Sequence, residues 1–210
     1  MKKFITVIPQ QPAGQLNKVV YEPVENRKLK FEEGTRFPII PVLNAYAEKG
    51  EKVRVLAIRQ NYDNCFANGK LLEEEIGELL AKDSAFVLEN GIEFIDIPFD
   101  ESAETHIDTF QKLLEYIEED DELYACVTFG SKPLEIVENM SLRYAEAVVP
   151  GARVKCIVYG SIDRTTRDNL GHSPFKIYDI TSLMIIQNTV ELIKDKKLKN
   201  VKELLNAIIG

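Results

Sequence analysis

The sequence predicts an α/β fold, a Rossmann-like doubly wound and mostly parallel sheet with helices on both faces and an early β-hairpin. Two observations support this prediction. Short segments that are apolar almost throughout alternate with amphipathic segments of helical period, which is typical of a parallel sheet covered on both faces. With 210 residues, 45% of them hydrophobic, the chain is also long enough for one domain with a sizeable core.

The N-terminal half is predicted to contain three strands, a hairpin and two helices. In order, they are the strand "FITVIP", the hairpin "KVVYEPVENRKLKFEEG", the helix "RFPIIPVLNAYAEKG", the strand "KVRVLAI", the loop "NYDNCFANG", the helix "KLLEEEIGELLAK" and the strand "GIEFIDIPF". Thr35 is expected to cap the first helix, and Gly50 marks its end.

The C-terminal half continues the alternation. In order, it is predicted to contain the helix "SAETHIDTFQKLLEYIEE", the strand "LYACVTF", the helix "PLEIVENMSLRYAEAVV", the strand "VKCIVYG", the loop "SIDRTTRDNLGHSPF", the strand "KIYDI" and the helices "SLMIIQNTVELIKD" and "VKELLNAII". Ser102 is expected to cap the first of these helices, whose apolar residues form one stripe. We expect residues 1–195 to form the domain and residues 196–210 a helical extension.

The composition favours a cytoplasmic protein without a metal or a cofactor. No apolar stretch approaches the roughly 20 residues that cross a bilayer, and the first residues are typical of a strand, not of a signal peptide. Cys65, Cys126 and Cys156 are odd in number and lack CxxC spacing, which indicates buried thiols in a reducing compartment. With only two histidines in the chain, a Cys/His zinc site is not expected.

Charge is unevenly distributed in a chain of net charge −8. Residues 73–122 hold 18 acidic residues and two lysines, a net charge of −16, so the rest of the chain carries +8. One part of the surface is therefore expected to repel polyanions, whereas another can accept a compact anion. Long nucleic acid is not expected as a partner, because basic and aromatic residues are not interleaved. The GxGxxG, GxxxxGK[ST] and GxSxG motifs are also absent.

The segment "VTFGSKP" predicts an anion-binding junction between a strand and a helix. Gly130 permits close backbone approach, Ser131 offers a hydroxyl, and Pro133 fits the first helical turn without losing a hydrogen bond. Lys132 adds a full positive charge. The alternative is a plain helix start with a solvent-exposed lysine.

A second strand end is expected to share this crevice. In doubly wound folds the ligand lies beyond the carboxyl ends of the strands, so Gln10 and Gln11 are expected to reach a base or a ribose. Arg167 and His172 have the R-x4-H spacing of HEPN ribonucleases, but the Gly, Asn and Pro residues around them favour a solvated loop that contacts the ligand.

Three segments, in this order, resemble the CARF domains, the CRISPR-associated Rossmann-fold sensors of type III CRISPR systems. They are residues 18–58, "VTFGSKP" and "VKCIVYGSID" with "KIYDITSL". Thr128, Gly130 and Lys132 match the family's ligand loop, commonly Thr-Gly-Gly-Thr-Lys or Thr-His-Gly-Phe-Arg. Ser131 replaces the threonine, and Phe129 departs from the usual glycine or histidine.

The resemblance implies a homodimer that binds a cyclic oligoadenylate, a ring of AMP units, across its two-fold axis. Some relatives also cut the ring without a metal, by attack of a ribose 2′-OH on the neighbouring phosphorus. Lys132 and Ser131 are the implied catalytic residues. The implied ligand-binding residues are Pro9, Gln10, Gln11, Thr128, Phe129, Gly130, Ser131, Lys132, Pro133 and Arg164.

Three functions stay open from the sequence. The first is a stand-alone CARF-like protein that binds the ring and cleaves it to switch off the immune signal. The second is a non-catalytic sensor or sequestering module that acts through a partner; Gln10 and Gln11, where cutting relatives often carry serine or threonine, favour it. The third is an ordinary Rossmann-like nucleotide enzyme. The chain stops after "VKELLNAIIG", so we expect no effector domain.

Overall fold

A computed structural model describes residues 1–82, 86–164, 174–184 and 186. In these parts the strands are β1 (Lys2–Val7), β2 (Tyr21–Pro23), β3 (Lys52–Gln60), β4 (Val87–Ile97), β5 (Glu122–Cys126), β6 (Arg153–Ile162) and β7 (Phe175–Asp179). The helices are α1 (Ile39–Tyr46), α2 (Asp63–Leu80), α3 (Ala103–Leu114) and α4 (Lys132–Val148).

The strands form one sheet in the order β2-β7-β6-β5-β1-β3-β4. All neighbouring pairs are parallel except β6 and β7, which are antiparallel. After β1 the chain forms β2 at the far edge of the sheet, then β3 and β4 on one side of β1, and then β5 on the other side of β1. The predicted α/β, Rossmann-like class is therefore confirmed, and the strand order reverses between β1 and β5, which is where such sheets bind ligands.

Helices cover both faces of the sheet. The strand β1 places Phe4 on the face covered by α1 and α2, and Ile5 and Val7 on the face covered by α3 and α4. All three side chains are buried. Burial on both faces explains why the central strands are apolar almost throughout, as parallel strands require.

The predicted early hairpin is wrong. Its first run forms β2, which pairs in parallel with β7, while a short 3-10 helix at Arg27–Leu29 overlaps the expected turn and the start of the second run. An isolated antiparallel bridge joins Val19 to Thr35, the residue that directly follows the second run. The side chain of Asn26 accepts a hydrogen bond from Lys28 N and donates one to the Asp179 carboxylate at 2.7 Å, so this segment is held against β7.

Thr35 does not cap α1 as predicted. Pro38 occupies the cap position without a side-chain hydrogen bond. The Thr35 hydroxyl instead accepts a hydrogen bond from Phe37 N at 3.0 Å and donates one to the buried carboxylate of Glu75. Thr35 therefore links α2 to the segment before α1.

The predicted loop "NYDNCFANG" is also wrong, because Asp63–Leu80 is one continuous helix. Asn64 and Asn68 are residues of a type that is common in turns. Their amides donate to backbone carbonyls of residues 9–11, so they do not compete with the helix's own hydrogen bonds.

The predicted Ser102 cap and the predicted buried thiols are confirmed. Ser102 caps α3 and accepts a hydrogen bond from Thr105 N at 3.2 Å. The three cysteines are buried free thiols. The stripe on α3 is only partly buried, since Leu113 is fully covered whereas Ile107 is 57% exposed. Within the described parts, no helix has the length and apolar character to cross a bilayer. The predicted extension over 196–210 lies outside the described residues.

Candidate ligand-binding site

Two adjoining cavities open at the carboxyl ends of β1, β5 and β6. We call them the large cavity, of about 670 Å³, and the small cavity, of about 340 Å³. Gln11, Thr128 and Phe129 line both. The small cavity thus lies where the strand order reverses, between β1 and β5, and the large cavity extends from there toward β6, β7 and β2.

The small cavity is lined entirely by residues that the sequence predicted for the ligand. They are Pro9, Gln10, Gln11, Thr128, Phe129 and Gly130. The segment after β1 and the segment after β5 meet there because the two strands are paired in parallel, with Thr6 opposite Cys126. Parallel pairing brings both carboxyl ends to one edge.

The large cavity adds aromatic, amide and guanidinium groups. Arg164, which the sequence also predicted, lines it and is exposed. The lining residues that sequence reasoning missed are Gln15, Leu16, Asn17, Val19, Tyr21, Arg36, Tyr159, Gly160, Ser161, Ile162 and Phe175. The rings of Tyr21 and Phe175 pack edge to face, with centroids 5.9 Å apart, so the cavity has an aromatic wall.

A buried carboxylate holds Arg36 in place. Glu75 on α2 is 3% exposed, and it accepts hydrogen bonds from Arg36 Nη1 at 2.8 Å and from Arg36 N at 3.2 Å. The Arg36 Nε donates to Leu16 O at 2.9 Å. Among the described residues, Arg36 Nη2 has no such partner. The guanidinium is therefore oriented before a ligand arrives, with one nitrogen left to donate.

Thr128 joins the ends of β5 and β6. Its hydroxyl accepts a hydrogen bond from Gly160 N at 2.8 Å and contacts Cys126 Sγ at 3.2 Å. A side chain at Gly160 would place its Cβ 2.6 Å from Pro38 Cγ, so only glycine fits there. The floor of the large cavity depends on this close approach.

Aromatic residues of the lining are also anchored. Phe129 packs edge to face on Phe37, with centroids 6.4 Å apart. Burial, with a smaller contribution from nearby acidic groups, raises the pKa of Tyr21, so its hydroxyl stays protonated at neutral pH and remains a donor.

No described residue that lines either cavity is acidic, although the chain has 34 Asp and Glu residues. None of the lining residues comes from the acidic segment 73–122, which supplies the C-terminal part of α2, all of α3 and β4, and the start of β5. Arg36 and Arg164 give the large cavity its charge. The site therefore suits an anion with aromatic groups.

The predicted anion seat at α4 has a different environment. Ser131 caps α4, accepting from Leu134 N at 3.4 Å, and its Oγ donates to Glu101 Oε2 at 2.8 Å. A carboxylate of the chain itself thus lies at this helix start. Lys132 and Pro133 are exposed. Among the described lining residues, none of these three appears in either cavity. Their catalytic and ligand-binding roles stay predictions.

Gly130 adopts a conformation that favours glycine. Its φ is +117°, and a Cβ there would lie 3.1 Å from Val7 Cγ1. The loop after β5 can therefore turn sharply over the end of β1.

A hydrogen bond from the side-chain amide of Gln10 connects the segment that lines the small cavity to β3. Its Nε2 donates to the Oε1 of Gln60, which is buried. The Gln10 carbonyl oxygen accepts from Asn64 Nδ2 at 3.0 Å. The segment after β1 is thus fixed from both sides, while the exposed Gln11 side chain is left to contact a ligand.

Some predicted features fall elsewhere. Arg167 and His172 lie outside the described residues. Within the described parts, no group of three or more His, Cys, Asp and Glu residues is arranged to hold a metal ion.

The missed residues carried few local signals. Tyr159 and Ser161 lie at the carboxyl end of a predicted strand, and the convergence of strand ends would have indicated them. Arg36 gave no signal, because its role depends on a carboxylate 39 residues further along the chain.

Comparison with known proteins adds no assignment, because no protein-family model matches the chain and a search of curated proteins finds no match.

Proposed function

We propose that the protein is a stand-alone CARF-like protein that binds a cyclic oligoadenylate at the two cavities. One observation carries the proposal. In an acidic protein, the two cavities together provide arginines, aromatic rings and amides, and none of their described lining residues is a carboxylate. Phosphates are held by guanidinium groups and adenines by aromatic faces and amides, so this combination suits an adenine nucleotide.

Arg36 is the strongest candidate for a phosphate contact. Its guanidinium is held by Glu75 and Leu16 O, so little side-chain freedom is lost when a phosphate binds. Arg164 supplies a second charge at the rim of the same cavity.

The second part of the proposal is a homodimer. The outer face of α4 carries four large apolar side chains at i, i+4 spacing. They are Ile136, Met140, Tyr144 and Val148, which are 42% to 60% exposed. Because α4 begins directly after the loop that lines both cavities, packing two α4 helices about a two-fold axis would bring two carboxyl edges together. A symmetric ring needs such an arrangement.

The proposal has two versions, which differ in whether the bound ring is cleaved. In a ring nuclease, a ribose 2′-OH attacks the neighbouring phosphorus, the 5′ oxygen leaves and takes up a proton, and a 2′,3′-cyclic phosphate forms. Cationic donors such as Arg36 would stabilise the charge on phosphorus-bound oxygens. In a sensor, the ring is held intact.

The test is incubation with labelled cyclic tetra- and hexa-adenylate in EDTA, followed by chromatography of protein and products. Linear fragments support the ring nuclease, and retained intact ring supports the sensor. ATP and AMP serve as comparison ligands. Retention of ATP without retention of either ring would contradict the proposal and favour an ordinary nucleotide enzyme.

A further inference from the structure

Two exposed aromatic rings stack on each other at the same edge of the sheet as the cavities. The rings of Tyr62 and Phe99 have centroids 4.6 Å apart and planes inclined by 12°. They are 38% and 52% exposed. Tyr62 follows the end of β3 and Phe99 follows the end of β4, so both lie at the carboxyl edge.

A hydrogen-bonded amide connects this pair to the small cavity. Asn64 Nδ2 donates to Gln10 O at 3.0 Å and to the Tyr62 hydroxyl at 3.3 Å. Gln10 lines the small cavity. Since neighbouring strands are about 4.8 Å apart, β4 lies roughly 10 Å from β1, a distance that one nucleotide can bridge.

The charges directly after Phe99 disfavour a phosphate over this pair. Asp100 and Glu101 directly follow Phe99. Hydrogen bonds from Ser102 and Thr105 to the Asp100 carboxylate lower its pKa, so it is ionised at neutral pH. Two carboxylates repel a phosphate, whereas a neutral base can stack on the outer face of a ring and lose no favourable contact.

We propose that the Tyr62–Phe99 pair is a stacking platform for a purine base of the bound ligand. This inference rests on the proposed function and adds a position for one base. The phosphates then lie toward Arg36, and one adenine extends over β3 and β4 to the exposed aromatic face.

The absence of tryptophan from the chain allows a direct measurement. Phe99→Trp places one indole at the platform, and stacking of adenine on that indole is expected to quench its fluorescence on titration with cyclic tetra- or hexa-adenylate. The matched control is Val87→Trp at the opposite, amino-terminal end of β4, where an exposed apolar residue is replaced and no quenching is expected.

A second variant tests the energetic role of the ring. Phe99→Leu keeps an apolar side chain but removes the aromatic face, and is expected to weaken ring binding by about 10-fold, within the range for one stacked base. Phe99→Tyr should bind like the parent. A cooperative urea unfolding transition for each variant is the check that the variant is folded.

The outcomes distinguish the two proposals. If the parent binds a ring while Phe99→Trp shows no quenching and Phe99→Leu binds equally well, the platform is overturned and the proposed function stands. If the parent binds neither ring, the proposed function falls and the platform falls with it.

Discussion

At the scale of single residues, substitutions of Arg36 and Glu75 can distinguish an effect on stability from an effect on ligand binding. Arg36→Met leaves the buried Glu75 carboxylate without its ionic partner, which should lower the free energy of unfolding by about 3–5 kcal/mol. Arg36→Met combined with Glu75→Gln removes that unpaired charge and should recover much of the stability. Both should bind the ring at least 10-fold more weakly, because a charge-assisted bond is lost.

Urea unfolding and equilibrium ring binding measure the two effects. Full ring affinity in the stable double variant would contradict the role assigned to Arg36.

A buried carboxylate outside the cavities predicts a pH dependence of stability. Glu138 on α4 is fully buried, and among the described residues neither carboxylate oxygen has a hydrogen-bond partner. Burial, and to a lesser degree Glu135, raises the pKa of Glu138 well above its usual value. A raised folded-state pKa contributes stability below the unfolded-state pKa, and this stability is lost as pH rises through the folded-state pKa.

Glu138→Gln should therefore raise the urea midpoint at pH 7, with a gain that shrinks toward pH 4. Ser141→Ala on the same helix is a control for disruption of packing, since its effect should not depend on pH. An equal gain at both pH values would contradict the assigned ionisation.

Lys132 is the residue on which the family resemblance places most weight. It is exposed at the start of α4, directly after Gly130 and Ser131, so in the proposed dimer its ammonium would reach the ring phosphates from outside the cavities. Lys132→Ala should weaken ring binding by about 10-fold, and by less at high salt. Lys49→Ala, exposed before β3 at the amino edge, is the control. Unchanged affinity in Lys132→Ala would remove Lys132 from the site.

At the scale of elements, the loop after β5 depends on one glycine. Gly130→Ala should lower the free energy of unfolding by about 1–3 kcal/mol, because φ is +117° and a Cβ would crowd Val7. Gly77→Ala inside α2 meets no atom within 4 Å and should stabilise the fold by up to about 1 kcal/mol. Equal effects of the two substitutions on urea unfolding would contradict the strain assigned to the loop.

Hydrophobic periodicity and the positions of strand ends explain which elements could be predicted from the sequence. Apolar runs and helical stripes identified the strands and helices, and their carboxyl ends placed residues 9–11 and 128–130 at one edge. The failures share a cause. Asn64 and Asn68 resemble loop formers but bond to carbonyls of another segment, and β2 pairs with a strand about 150 residues away along the chain. Neither long-range contact has a local pattern.

For the candidate site, the residues that follow strand ends could be predicted, whereas those placed by tertiary contacts could not. Gln10, Gln11 and the loop after β5 follow from where strands end. The Glu75–Arg36 pair, the aromatic wall and the contact of Glu101 with Ser131 depend on tertiary packing, which no spacing in the sequence encodes.

At the scale of the whole molecule, the two sides of the sheet differ in charge. The acidic segment 73–122 covers the β3–β4 side, whereas the large cavity lies toward β6, β7 and β2. This separation would keep long polyanions away and leave the cavity open to a compact anion.

The proposed dimer gives a prediction at this scale. Met140→Glu places a charge in the middle of the apolar stripe on α4, and should shift the protein from dimer to monomer in sedimentation and weaken ring binding. Val87→Glu, at an exposed site on β4, should leave both unchanged. A parent that sediments as a monomer with the ring bound would contradict the dimer.

The most direct test of the central claim is calorimetric titration of the parent protein with cyclic tetra-adenylate and with cyclic hexa-adenylate. A symmetric ring shared by two protomers predicts saturation with one of these rings at one ring for two chains. Saturation at one ring per chain, or no binding of either ring, would contradict the account.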